Sequence, residues 1–283
     1  MPRLNSMRLI HLPKISALLL LAFMTLTLSG CFLNDDDDDP AAVVDADPTG
    51  YYTNSGYLNV KAADNTTQRL VQDVQGMVTD NELMIIDDSE NLAYIGTFTV
   101  SGNNLNGSVT VYEAGVMVQE DVPVSGVITA GSKITGTLAG TGVANGSFQL
   151  DYARDDNGPV DLGMVTHAVQ WRPVVNQNIP NLDLRTATVA EPVLNFKTGG
   201  VGSNVFYNCG FDGRMEPITG THLYTVSVTM KDCNGQGTGV DNVPEYTGLA
   251  SLRGTDRFIL ALSNGDYDFS GEYFACLALG CTP

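Results

Sequence analysis

Histidine, tryptophan and charge are all scarce in this sequence. Of 283 residues, three are histidine, one is tryptophan and 16% are charged. Only His167 and His222 lie beyond residue 30, which leaves little material for a Ser-His-Asp arrangement or a His-rich zinc site. No GxSxG, HExxH or GxxxxGK[ST] occurs, and the glycine strings TGTLAGTG and KTGGVGSN lack the lysine and following helix that a phosphate loop needs. Basic residues are also few: 14 Lys and Arg stand against 32 Asp and Glu, a formal charge of −18. That balance argues against nucleic acid as a partner, because a basic surface is what holds phosphate. No long stretch repeats apolar residues at helical spacing, and no apolar run reaches the roughly 20 residues of a spanning helix.

What is present begins with an address. The first 14 residues hold Arg3, Arg8 and Lys14 and no acid, and ISALLLLAFMTLTL follows without a charge. A basic start and a short apolar core predict a secretory signal peptide over residues 1–30. The core ends in Leu28-Ser29-Gly30-Cys31, which resembles the bacterial lipobox. The resemblance implies cleavage before Cys31 and acylation of that cysteine, palmitate included, giving a lipoprotein anchored in the bilayer. Several buried acyl chains, at about 0.8 kcal/mol per CH₂, make such an anchor stable. The residue after the cysteine is Phe32 and not Asp, which by the enteric sorting rule implies the outer membrane, on its periplasmic or its external face. None of the acids and three of the basic residues precede Cys31, so the remainder carries 11 basic and 32 acidic side chains, formally −21. Five of those acids are Asp35 to Asp39, inside a linker predicted over residues 31–48, where like charges and Pro40 and Pro48 keep the chain extended.

Beyond the linker, thirty glycines, abundant Thr, Val and Asn, and turn signals every 8–12 residues predict an all-β fold. The expectation is an antiparallel meander forming two β-barrel or β-sandwich domains, residues 49–155 and 165–283. Hairpins are predicted to turn at Thr79-Asp80-Asn81, Ser101–Asn104, Ala130-Gly131-Ser132, Asn145-Gly146 and Thr219-Gly220-Thr221. Leu92, Tyr94, Gly96, Phe98 and Val100 share one predicted face, with Ala93, Ile95, Thr97 and Thr99 on the other. Residues 172–200 hold Pro173, Pro180 and Pro192 and read as an irregular surface excursion.

With Cys31 acylated, Cys209, Cys233, Cys276 and Cys281 remain, an even number in an oxidising compartment. A hairpin turning at 219–221 sets Cys209 opposite Cys233 and leaves Cys276 for Cys281, one of three pairings open to four cysteines. No CxxC accompanies them, so disulfides are expected in place of zinc, and no metal or cofactor is called for. Calcium has two weak candidate loops, Asp155, Asp156, Asn157 and Asp161, and Asp232, Asn234, Gln236 and Asp241; neither follows the DxDxDG pattern, and such loops are ordinary turn chemistry. His222 is expected at a solvated turn, His167 in a strand, and Trp171 in a core or at a cavity mouth.

The C-terminal run CGFDGRMEPI…LYTVSVTMKDC…YTGLASL…FILALSNG, with the lipobox, acidic tether and Gly/Thr-rich meander, resembles β-rich lipoproteins of Gram-negative bacteria that carry no assigned activity. The fold class, the anchor, the tether and the missing catalytic motifs favour a non-catalytic envelope lipoprotein that binds a small ligand or a partner protein. An apolar interior cavity would favour the ligand and a filled core the partner. Two other readings follow from the acidity: an inhibitor or scavenger of a cationic protein, and a hydrolase with two facing carboxylates.

Overall fold

The computed structural model describes residues 44–87, 91–158, 170–174, 182–188, 191–198, 210–231, 245–253 and 256–276. Among them there are seventeen strands, two short 3₁₀ turns and no α-helix. The chain is all-β, and the strands form two antiparallel sheets.

The first sheet comprises β1 (Gly50–Lys61), β2 (Gln68–Gln72), β3 (Gln75–Val78), β4 (Glu82–Asp87), β5 (Leu92–Ser101), β6 (Asn104–Glu113), β7 (Val116–Thr129), β8 (Lys133–Ala139) and β9 (Asn145–Tyr152). From β3 onward each strand pairs with the next in sequence. β1 pairs with β2 and β3 on one side and with β9 on the other, so the sheet curls until its last strand meets its first. The expected turns at 79–81 and 130–132 separate these strands. In the hairpin Ser101↔Asn104, Gly102 takes φ 59° while Asn103 stays at negative φ, which fits a type II′ turn with its required glycine. The turn expected at Asn145-Gly146 lies earlier, at Gly140–Ala144. Gly146 is instead inside β9, where a Cβ would stand 2.1 Å from the Asn59 carbonyl oxygen. Its missing side chain serves close strand approach, not chain reversal.

Alternation sorts the side chains. Leu92, Tyr94 and Phe98 join Leu58, Val109, Val124, Ile134 and Phe148 in the core of the first sheet. The 3₁₀ turn Gly142–Ala144 adds Val143 and Ala144 to that core, and Tyr94 Oη donates to the Val143 carbonyl at 2.8 Å.

The second sheet is a closed barrel of β10 (Gln170–Pro173), β11 (Leu182–Thr188), β12 (Glu191–Thr198), β13 (Gly210–Pro217), β14 (Leu223–Lys231), β15 (Tyr246–Arg253), β16 (Arg257–Ser263) and β17 (Asp268–Cys276). Thus the described part of residues 172–200 is not a surface excursion; it contributes to three barrel strands. Pro192 is accommodated because the β11–β12 register shifts between Thr186 and Thr188, which removes one ladder pairing beside it. Trp171 is fully buried in this barrel's core, its ring 5.7 Å from that of Phe258.

Both sheets belong to one compact unit, Val43–Pro283, and a third cluster joins them. Tyr51, Met77, Met84, Ile86, Ala93 and Tyr112 pack with Leu223, Leu249, Ile259 and Ala261. This explains the uninterrupted apolar runs. In β4, Leu83 and Ile85 face the first core and Met84 and Ile86 the junction. In β16, Phe258, Leu260 and Leu262 face the barrel core and Ile259 and Ala261 the junction. A strand buried on both faces has no polar side to alternate with.

Candidate functional sites

Among the described residues, the inward side chains of both sheets are buried. Tyr94, Phe148 and Leu58 in the first sheet, and Trp171, Phe258 and Tyr273 in the barrel, are at most 1% exposed. Binding surfaces among the described residues therefore have to be sought on the outside, and two depressions and one clasp stand out.

The first depression is a cavity of about 460 Å³ lined by Asp156, Val174, Arg253, Asp256, Arg257 and Glu272. The short β15–β16 connection makes Arg253 and Arg257 direct cross-strand partners, a like-charge pair that destabilises unless it is compensated. Glu272 supplies part of the compensation, its Oε1 3.3 Å from Arg253 Nη1. Compensating charge at a strand end accounts for this cluster.

The second depression, about 750 Å³, lies on the convex face of the first sheet. Sheet register lays two rows of side chains across it. One row runs Thr99, Asn106, Ser125, Thr137, Ser147 and Asn59 over β5, β6, β7, β8, β9 and β1. The next runs Ser101, Asn104, Val127, Thr135, Gln149 and Tyr57 over the same strands. None of the twelve is charged, although the chain as a whole is strongly acidic. Beneath the rows, Gly126 and Gly136 oppose each other. A Cβ on Gly136 would meet the Phe148 ring at 2.4 Å. Without those side chains the Phe148 ring packs directly against the backbone of β8. Ser125 Oγ and Thr137 Oγ1 lie 3.1 Å apart.

The chain matches no protein-family model, no curated protein and no solved structure. What these surfaces do must be argued from their own chemistry.

The clasp joins the β6–β7 and β16–β17 turns. Val116 forms an antiparallel bridge with Tyr267, Met117 N donates to Asp266 O at 3.1 Å, and Asp268 N donates to Gly115 O at 3.2 Å. Tyr112 Oη lies 2.5 Å from Ser263 Oγ and donates to Gly265 O at 3.1 Å. Burial raises the Tyr112 pKa. Asp268 is only partly buried as a residue, but its carboxyl is withdrawn from water, which pushes its pKa up to about 6. The Ser270 hydroxyl, 2.6 Å from Oδ2, opposes that rise.

Of the residues singled out from the sequence, Cys31, Cys209, Cys233, Cys281, His167, Asp161 and the loop 232–242 lie outside the described residues. Cys276 ends β17 opposite Gln170, but its side chain is likewise outside them. β13 and β14 form a hairpin about the expected turn, described as far as Gly210↔Lys231, in a register one residue off the one that would set Cys209 directly opposite Cys233. His222 lies in the β13–β14 turn as expected and is half-buried there, because the turn packs on β15, where Leu252 N donates to the His222 carbonyl. Asn157, considered as a calcium ligand, has its carboxamide committed elsewhere. Its Oδ1 accepts from Tyr51 N at 2.8 Å, and its Nδ2 donates to Tyr51 O at 2.7 Å and Ala153 O at 2.8 Å. The neutral rows were missed because they become visible only when cross-strand register is known.

Proposed function

We propose that this is a non-catalytic bacterial envelope lipoprotein, held in the outer membrane through acylated Cys31, that engages a ligand or partner on the outer surface of its β-sheets. The anchor is supported by the basic start, the short apolar core and Leu28-Ser29-Gly30-Cys31. The outer-surface mode is supported by one observation above all: aromatic and aliphatic side chains fill the interior of the first sheet, and the described inward side chains of the barrel are buried as well. A small hydrophobic ligand of ordinary size needs a preformed interior pocket, and the first sheet's core is packed where that pocket would be. The acidic linker then acts as a stalk, with at most about 3.3–3.6 Å of reach per residue.

The anchor is tested by expressing the full chain in a Gram-negative host with labelled palmitate. The expected result is label in the wild-type protein and its recovery with outer membranes. Cys31→Ser should lose the label and leave the outer-membrane fraction. Wild-type protein recovered unlabelled and soluble would sink the reading.

A further inference from the structure

We propose that the clasp between the two sheets is a proton-operated latch, closed while the Asp268 side chain carries its proton and released when that proton leaves. This goes beyond the outer-surface reading and does not depend on it. Alternation in β17 sets the arrangement. Phe269 and Tyr273 turn into the barrel, so Asp268 and Ser270 lie on the opposite face, in register with Ser263 and Ala261 of β16. Ala261 belongs to the apolar cluster that joins the sheets. The apolar seam therefore ends, at its rim, in a carboxyl. Beside it the sheets are tied through their backbones: Asp268 N donates to Gly115 O, and Met117 N donates to Asp266 O. Tyr112 reaches across to Ser263 and Gly265. The carboxyl and one of the bonds that close the clasp thus belong to the same residue.

A carboxylate is unfavourable in such a place unless a cation or several donors meet it. No cation acts on Asp268. The neighbouring elements bring Tyr112 from β6, Met117 from β7 and Ser263 from β16, and the turn itself adds a second acid, Asp266. Tyr112 feels both acids and stays neutral, because burial raises its pKa. Only the Ser270 hydroxyl, donating at 2.6 Å, and the residue's own amide favour the charged form, and they fall short of the desolvation that opposes it. Opening the clasp lets water reach the carboxyl, while the apolar cluster goes on holding the sheets together. The closed clasp thus binds the proton more tightly than the open one. That stabilisation is complete below about pH 4 and lost as pH rises through about 6. Between pH 5 and 7 the opening equilibrium should rise about tenfold.

The test is amide hydrogen exchange on the full chain, with each rate divided by that of an unstructured chain at the same pH. The Met117 and Asp268 amides report on the clasp, and the β8–β9 ladder reports on unfolding of the whole. Expected is weaker protection at the clasp than in the ladder, falling about tenfold further at the clasp from pH 5 to 7. Asp268→Asn should abolish that fall at Met117. Tyr112→Phe should lower protection there at every pH and leave the fall in place. Clasp amides protected as strongly as the ladder would overturn the proposal, because the clasp would then open only when everything does. So would protection independent of pH in the wild type, or a fall that survives in Asp268→Asn. Dilute urea separates local from global opening without any variant. Local opening exposes little surface, so clasp protection should hold in urea that lowers ladder protection. A parallel loss at both would count against the latch.

Discussion

Asp268 shows how one side chain can make stability depend on pH. Its carboxyl titrates near 6 in the folded chain because burial disfavours the charge, and near the ordinary carboxylate value when unfolded. The native state therefore holds this proton more tightly than the unfolded state does. The associated stabilisation is complete below about pH 4 and is lost as pH rises through about 6. Other carboxylates shape the overall curve, so the informative quantity is a difference. Asp268→Asn removes the titration, and its melting temperature should gain on that of the wild type between pH 4 and 7. A constant difference across that range would refute the assignment.

At the scale of the element, turns carry much of the information. β6 ends at Glu113 and β7 begins at Val116, and both connecting residues have positive φ: Ala114 at 53° and Gly115 at 82°. That is the backbone of a type I′ turn, which favours Asn-Gly, and alanine is strained there. Ala114→Asn should raise stability by about 0.5–1 kcal/mol, read as a higher denaturant midpoint with an unchanged slope. Turn chemistry is also why much of the fold was legible in the sequence. The turns at 79–81, 102–103 and 130–132, and the inward face of Leu92, Tyr94 and Phe98, followed from Gly, Asn and Asp placement and period-2 alternation. What escaped had physical reasons. Gly146 serves close strand approach, and Pro192 sits at a register shift; each imitates a turn or a loop. Of the candidate site, the sequence disclosed only residue types. Asn104 and Asn106 are neighbours of Thr135 and Thr137 only after three strands have paired.

For the whole molecule, the third cluster decides whether the two sheets behave as one. Burying each of Met84, Ile86, Leu249 and Ile259 stabilises by about 1.5–3 kcal/mol relative to exposure, so separating the sheets would forfeit several such contributions. Unfolding of residues 32–283 should accordingly be a single calorimetric transition. Ile259→Ala is expected to cost about 2–4 kcal/mol, read as a lower denaturant midpoint. Two well-separated transitions in the wild type would show that the junction does not couple the sheets.

The two-sided pairing of β1 has a mechanical meaning. A pull from the N-terminal side meets first the bonds of Asp45 and Ala46 to Gly102, and then Gly50, the first residue of that strand. β1 is held by β2 and β3 on one side and by β9 on the other. Traction along its axis loads both ladders in shear, so many hydrogen bonds must yield together. A terminal strand paired on one edge alone would peel open one bond at a time. The chain is thus gripped most firmly at the point where a tether would tug on it.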